Sequence, residues 1–176
     1  MTRIIITFGA IAGTIELVLL ALTMGFVADH GSLGMVLGYL SMLIALSLVF
    51  AGVKKYRDEQ LGGVIGFGKA FAMGLGIAGI AALFYVIGWE AYLWSTDYTF
   101  VEVFSAKALA DMQAQGASAE AMAKARADMA DFAAIYANPV MRMAVTLTEI
   151  APVALLVPLI SALLLRRPGF VPARVR

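Results

Sequence analysis

The chain has 176 residues, of which 62% are hydrophobic and only 14% charged. A soluble domain carries about 45–50% apolar and about 25% charged residues, so this bias points to lipid as the solvent. A formal net charge of +1 gives no general attraction to nucleic acid, and the absence of cysteine excludes disulfides, thiolate metal sites and cysteine nucleophiles.

Four apolar runs organise the chain, at about residues 4–28, 34–53, 67–94 and 140–165. Each reaches roughly 20 residues or more, enough to cross about 30 Å of hydrocarbon at about 1.5 Å per residue as a helix. A single strand at that depth leaves its backbone unpaired, so the runs predict helices. The first run is too long for the core of a signal peptide, carries Glu16 at its centre and lacks a small-x-small cleavage site, so it is expected to stay in place as a span. Between the first two runs, Asp29 precedes the sole histidine, His30. A lone histidine does not make a metal site, which needs several convergent ligands.

Gly62-Gly63 interrupts the chain before the third run, and Asn138-Pro139 reads as the cap and first residue of the fourth helix. The stretch 95–138 is too long for a plain loop. Val101, Phe104, Ala108, Leu109 and Met112 recur at helical spacing, Gly116 interrupts, and Ser118 with Glu120 reads as a fresh helix start. Met122, Met129, Phe132 and Tyr136 form a second stripe. Two short amphipathic helices are expected here, packed on each other or laid on lipid headgroups or a partner.

Basic residues set the expected orientation. Arg3, Lys54, Lys55, Arg57, Lys69, Arg166, Arg167, Arg174 and Arg176 fall at one end of the spans, whereas the 95–138 stretch is dominated by Asp97, Glu102, Asp111, Glu120, Asp128 and Asp131. Both termini are therefore expected in the cytoplasm. Trp89, Tyr92, Trp94 and Tyr98 mark the opposite interface, where amphipathic rings are favoured.

Small residues carry the packing signal. Gly9 and Gly13 form one GxxxG, Gly34 and Gly38 another, and Gly66, Ala70, Gly74, Ala78 and Ala82 make a ladder in the third span. Lipid supplies no hydrophobic drive for helix association, so close backbone approach must supply dispersion contacts, within the chain or between copies. Gly74, Gly76 and Gly79 also match GxGxxG, but that pattern signals a dinucleotide only between a strand and a helix.

The acidic residues inside the spans are the candidate polar site: Glu16, Glu149 and, nearer the outer end, Glu90. A charge at mid-bilayer costs about 2.5–3.5 kcal/mol on insertion scales, so such a residue must face protein or water, or be neutral. Glu16 shares the face of Gly9 and Gly13, with no Lys, Arg or His at its depth, and is expected to carry its proton. Pro152 and Pro158 follow Glu149 and are expected to disturb the helix beside it. The carboxyls act either as interhelical hydrogen-bonding groups or as a proton or cation site. No arrangement of nucleophile, base and orienting group is recognisable, so the chain is not expected to be an enzyme, and no cofactor or metal is expected.

The segment Lys54, Lys55, Tyr56, Arg57, Asp58 reads as a charged cytoplasmic hairpin, a stop signal or a contact for anionic lipid. Together with Gly34-Met35-Val36-Leu37-Gly38-Tyr39, Phe50-Ala51-Gly52-Val53, the Gly66-Phe67-Gly68-Lys69-Ala70-Phe71 entry to the third span and Glu149-Ile150-Ala151-Pro152-Val153, it resembles a bacterial membrane family catalogued as domain-of-unknown-function family 4199. The resemblance implies a four-helix protein of the bacterial inner membrane and supplies no activity. The expectation is an all-α membrane protein, one domain over residues 1–176: four transmembrane helices in a bundle, with a helical cap at 95–138. Its expected partners are membrane lipid and other membrane proteins or further copies of itself, not nucleic acid. Two functions remain open, a structural or accessory membrane component and a minimal proton- or cation-coupled transporter.

Overall fold

A computed structural model of the chain describes residues 1–26 and 32–172. Asp29, His30, Arg174 and Arg176 lie outside the described residues. Six α-helices are present and no strand occurs among the described residues. They are α1 (Thr2–Phe26), α2 (Ser32–Gln60), α3 (Phe67–Ser95), α4 (Phe100–Ala114), α5 (Ala119–Ala137) and α6 (Pro139–Leu165). Four of them, α1, α2, α3 and α6, are long and apolar enough to cross a membrane. The chain divides into two compact units, Met1–Gly88 with Thr148–Arg176, and Trp89–Leu147.

In the first unit α1 packs on α2, and α3 supplies much of the core through Ala70, Met73, Ile77, Ala78 and Ala81. Glycines set the closest approaches. A methyl group on Gly13 would sit 2.5 Å from Phe84 Cγ, and one on Gly9 would sit 2.7 Å from Ile80 Cβ, so α1 lies against α3 at these positions. Gly52 of α2 faces Ile77 and Phe8 in the same way. Gly74 faces Val49 and Pro158, whose Cβ would be 2.9 Å from an added methyl.

The helix bounds differ from the sequence reading in one instructive place. The segment 54–60, read as a hairpin, continues α2 to Gln60. Lys54 pairs with Asp58 and Lys55 with Glu59, each at helical i,i+4 spacing. Such pairs contribute about 0.2–0.5 kcal/mol each, and the segment contains no residue that breaks a helix. The turn comes only at Gly62 and Gly63, whose φ of 63° and 91° other residues rarely adopt. Likewise α6 runs unbroken through Pro152 and Pro158.

In the second unit α4 packs on α5. Ser118 Oγ accepts from the Ala121 amide at 3.2 Å and starts α5, after a turn at Gly116 with φ 76°. Asn138 Oδ1 accepts from the amides of Val140 and Met141, and Pro139 opens α6, where its missing N–H has no helical partner to lose. α4 buries none of its residues, and α5 buries only Met122 and Tyr136.

Candidate functional site

Glu16 lies on the inward stripe of α1 with Gly9, Ala12 and Gly13 and is 1% exposed. Its Oε1 is 3.2 Å from Ser41 Oγ of α2. Ser41 Oγ is also 2.7 Å from the carbonyl oxygen of Gly38. A hydroxyl has one proton to donate, and the carbonyl is the nearer acceptor. Both contacts are satisfied together when Glu16 supplies the proton between the two side chains. Its other oxygen, Oε2, has no hydrogen-bond partner among the described residues.

Glu149 stands differently. Its Oε2 accepts from the Tyr85 hydroxyl at 3.0 Å, yet the residue is exposed. It falls on one outward stripe of α6 with Pro152, Leu156, Ile160 and Leu163, all exposed. Glu16 and Glu149 thus have separate partners, a serine on α2 and a tyrosine on α3.

Glu90 belongs to neither of these contacts. In the second unit it takes two hydrogen bonds from Arg142, Nε to Oε1 and Nη2 to Oε2, both at 2.7 Å. The third donor, Nη1, reaches the carbonyl oxygen of Tyr136 at 3.0 Å, and the guanidinium lies 4.9 Å from the centre of the Tyr98 ring. Tyr98 and its neighbour Asp97 hold positive φ, 59° and 50°, in the turn that presents this ring. Trp89 Nε1 donates to the Tyr136 hydroxyl, and the Trp89 ring stacks on Tyr92 with centroids 5.4 Å apart. Both side chains of the ion pair are largely buried, 7% exposed for Arg142 and 18% for Glu90. Every nitrogen of the guanidinium is engaged, so the pair fixes helix ends rather than offering a binding group.

The sequence reading did not single out Arg142. The available signal was a basic residue at the third position of the 140–165 run, at the same end as Glu90. Arg57 is also placed unexpectedly. The sequence places it among the basic residues of a hairpin, but its side chain is 1% exposed. It donates to the carbonyl oxygens of Phe170 at 2.8 Å and Val171 at 2.7 Å, beside an edge-on contact of Phe50 with Phe170. Its remaining Nε meets Asp58 at 2.6 Å. The exposed basic residue of the segment is Lys55, while Tyr56 packs against the core.

The glycine pattern splits as well. Gly9, Gly13 and Gly74 lie against neighbours, and Ala70 and Ala78 are buried. Gly38 and Gly66 meet no atom within 4 Å of an added methyl among the described residues, and Gly34 is half-buried. A GxxxG fixes one face of a helix but not which helix, if any, occupies it.

No curated protein and no solved structure matches the chain. Residues 7–167 match the family described as protein of unknown function DUF4199. With most of the chain inside that match, the protein belongs to the DUF4199 family.

Proposed function

We propose that this protein is a structural or accessory component of the bacterial inner membrane, crossing it four times as a helical bundle with both termini in the cytoplasm and residues 95–138 as an outer cap. Its α6 helix associates with another membrane-embedded protein or a further copy of the chain. The observation that carries this reading is Glu149. An acid on the same outward stripe as Leu156 and Ile160 would face hydrocarbon if nothing covered it. One hydrogen bond from Tyr85 leaves a carboxyl oxygen to satisfy. The cost of about 2.5–3.5 kcal/mol for an acid at mid-bilayer favours a polar partner across the interface.

The test is Glu149→Leu in native membranes, with complex size read on native gels and contacts read by a photocrosslinker at Leu156. Loss of a discrete larger species together with its crosslink supports the reading. If lipid alone covers the stripe, the leucine variant is as abundant as the parent or more so, its size is unchanged and the crosslinks go to lipid; that outcome rejects it.

A second reading is supported by the unpartnered Oε2 of Glu16: a proton- or cation-linked transporter that uses this buried acid. Glu16→Gln preserves shape and removes the titratable proton. Proton-dependent flux lost from a variant that still folds favours transport; a variant with parental behaviour in every assay removes it.

A further inference from the structure

A cleft of about 630 Å³ lies within the second unit, between α4 and α5. That volume falls inside the range of about 300–1,000 Å³ usual for small-molecule sites. Leu93, Leu109 and Met129 line it with the small side chains Ala130 and Ala133, and Tyr98 and Tyr136 also line it. These two tyrosines are held in place from behind, Tyr98 under the Arg142 guanidinium and Tyr136 by the Trp89 indole. That end of the cleft is therefore rigid. The helices on either side leave apolar surface uncovered: α4 buries no residue, and Phe104, Phe132 and Ile135 are exposed.

Lys107 pairs with Asp111 and Lys124 with Asp128, along their own helices. Glu102 of α4 and Arg126 of α5 line the cleft instead, and neither has an ion-pair partner among the described residues. An apolar cleft carrying one unpaired acid and one unpaired base is complementary to an apolar chain whose head bears both charges. Guanidinium groups favour phosphate, and a carboxylate favours an ammonium group.

We propose that the α4–α5 cleft binds a single-chain amphiphile with a zwitterionic phosphate–ammonium headgroup. The acyl chain fills the apolar cleft, Arg126 takes the phosphate and Glu102 takes the ammonium. Head selection rests on the charges and retention of the chain on the apolar walls, so each is removable separately.

The experiment uses the full chain in nanodiscs of phosphatidylglycerol, a lipid without an ammonium group. Trp94→Phe leaves Trp89, which bonds a cleft-lining tyrosine, as the only tryptophan. The probe is lysophosphatidylethanolamine with a brominated acyl chain, which quenches tryptophan on contact. Quenching is expected to saturate. Filling the cleft with Ala130→Leu and Ala133→Leu removes the saturable part. Arg126→Gln weakens binding about tenfold for this probe and for brominated lysophosphatidic acid, but not for a brominated monoacylglycerol. Glu102→Gln weakens only the ammonium-bearing probe. Quenching that rises linearly with probe and is unchanged in the filled variant is partition into the bilayer, and it overturns the proposal. Saturable quenching indifferent to Arg126→Gln and Glu102→Gln overturns the headgroup assignment. Arg126 and Glu102 are exposed, so their variants are expected to fold and keep the test decisive even where the filled variant does not.

Discussion

Removing one partner of the Arg142–Glu90 pair should cost far more than removing both. Breaking a buried ion pair costs about 3–5 kcal/mol because the survivor is left charged and unpaired. The 18% exposure of the Glu90 side chain lets water reach it, which places Arg142→Met at the low end, about 3 kcal/mol. Glu90→Leu strands a guanidinium that is only 7% exposed and should cost at least as much, about 3–4 kcal/mol. In the double variant no charge is stranded. The Tyr136 carbonyl loses the bond from Nη1, worth about 1 kcal/mol, and apolar packing offsets part of it. Singles of about 3 kcal/mol each and a double of about 1 kcal/mol give a coupling of about 5 kcal/mol, where independent sites add. Unfolding in mixed micelles of increasing SDS fraction reads this directly, with Trp89 as the local reporter, since it bonds the tyrosine that Arg142 holds. A double variant about as unstable as the two singles summed refutes the claim that the two side chains form one paired unit.

The two GxxxG motifs should respond oppositely to the same change. Gly13→Ala places a methyl 2.5–2.6 Å from Phe84 Cγ and Cβ, and the overpacking cost of about 1–3 kcal/mol exceeds the gain in helix propensity. Gly38→Ala meets open space and should stabilise by about 0.5–1 kcal/mol, so the same SDS titration must order the two variants on either side of the parent. Arg57→Gln should release the segment around Phe170: losing about 2 kcal/mol of charged hydrogen bonding to its carbonyls accelerates hydrogen exchange there by about 30-fold. Unchanged exchange at the Phe170 amide means that the Phe50 contact alone holds the segment.

The sequence was most informative where the physics is local. The number and approximate position of the membrane-length helices follow from run length against hydrocarbon thickness, and α1, α2, α3 and α6 occupy those runs. Ser118 and Asn138 announce their caps through short-range hydrogen bonds that depend on neighbours in the chain. Even the misread end of α2 was available locally, because the pairs that extend the helix sit four residues apart. An apolarity count alone stops at residue 53 since it scores those charges only as polar.

The candidate site was legible in its residue types and not in its arrangement. Glu16 faces inward because it shares a stripe with Gly9 and Gly13, which periodicity alone predicts. Its serine partner on another helix is a matter of register between helices. Glu149 shows the limit most plainly: a helical wheel places it with Leu156 and Ile160, but only the packing of α6 decides that this stripe is the uncovered one. Arg142 and Glu90 lie in different apolar runs, and Arg57 and Phe170 lie 113 residues apart. No periodicity within one helix pairs residues that far apart. Composition and hydrophobic run length determined that this chain makes membrane-length helices. The choice of which acid is buried, which is paired and which is left on the outer face belongs to side-chain contacts between helices, which exist only once those helices have packed.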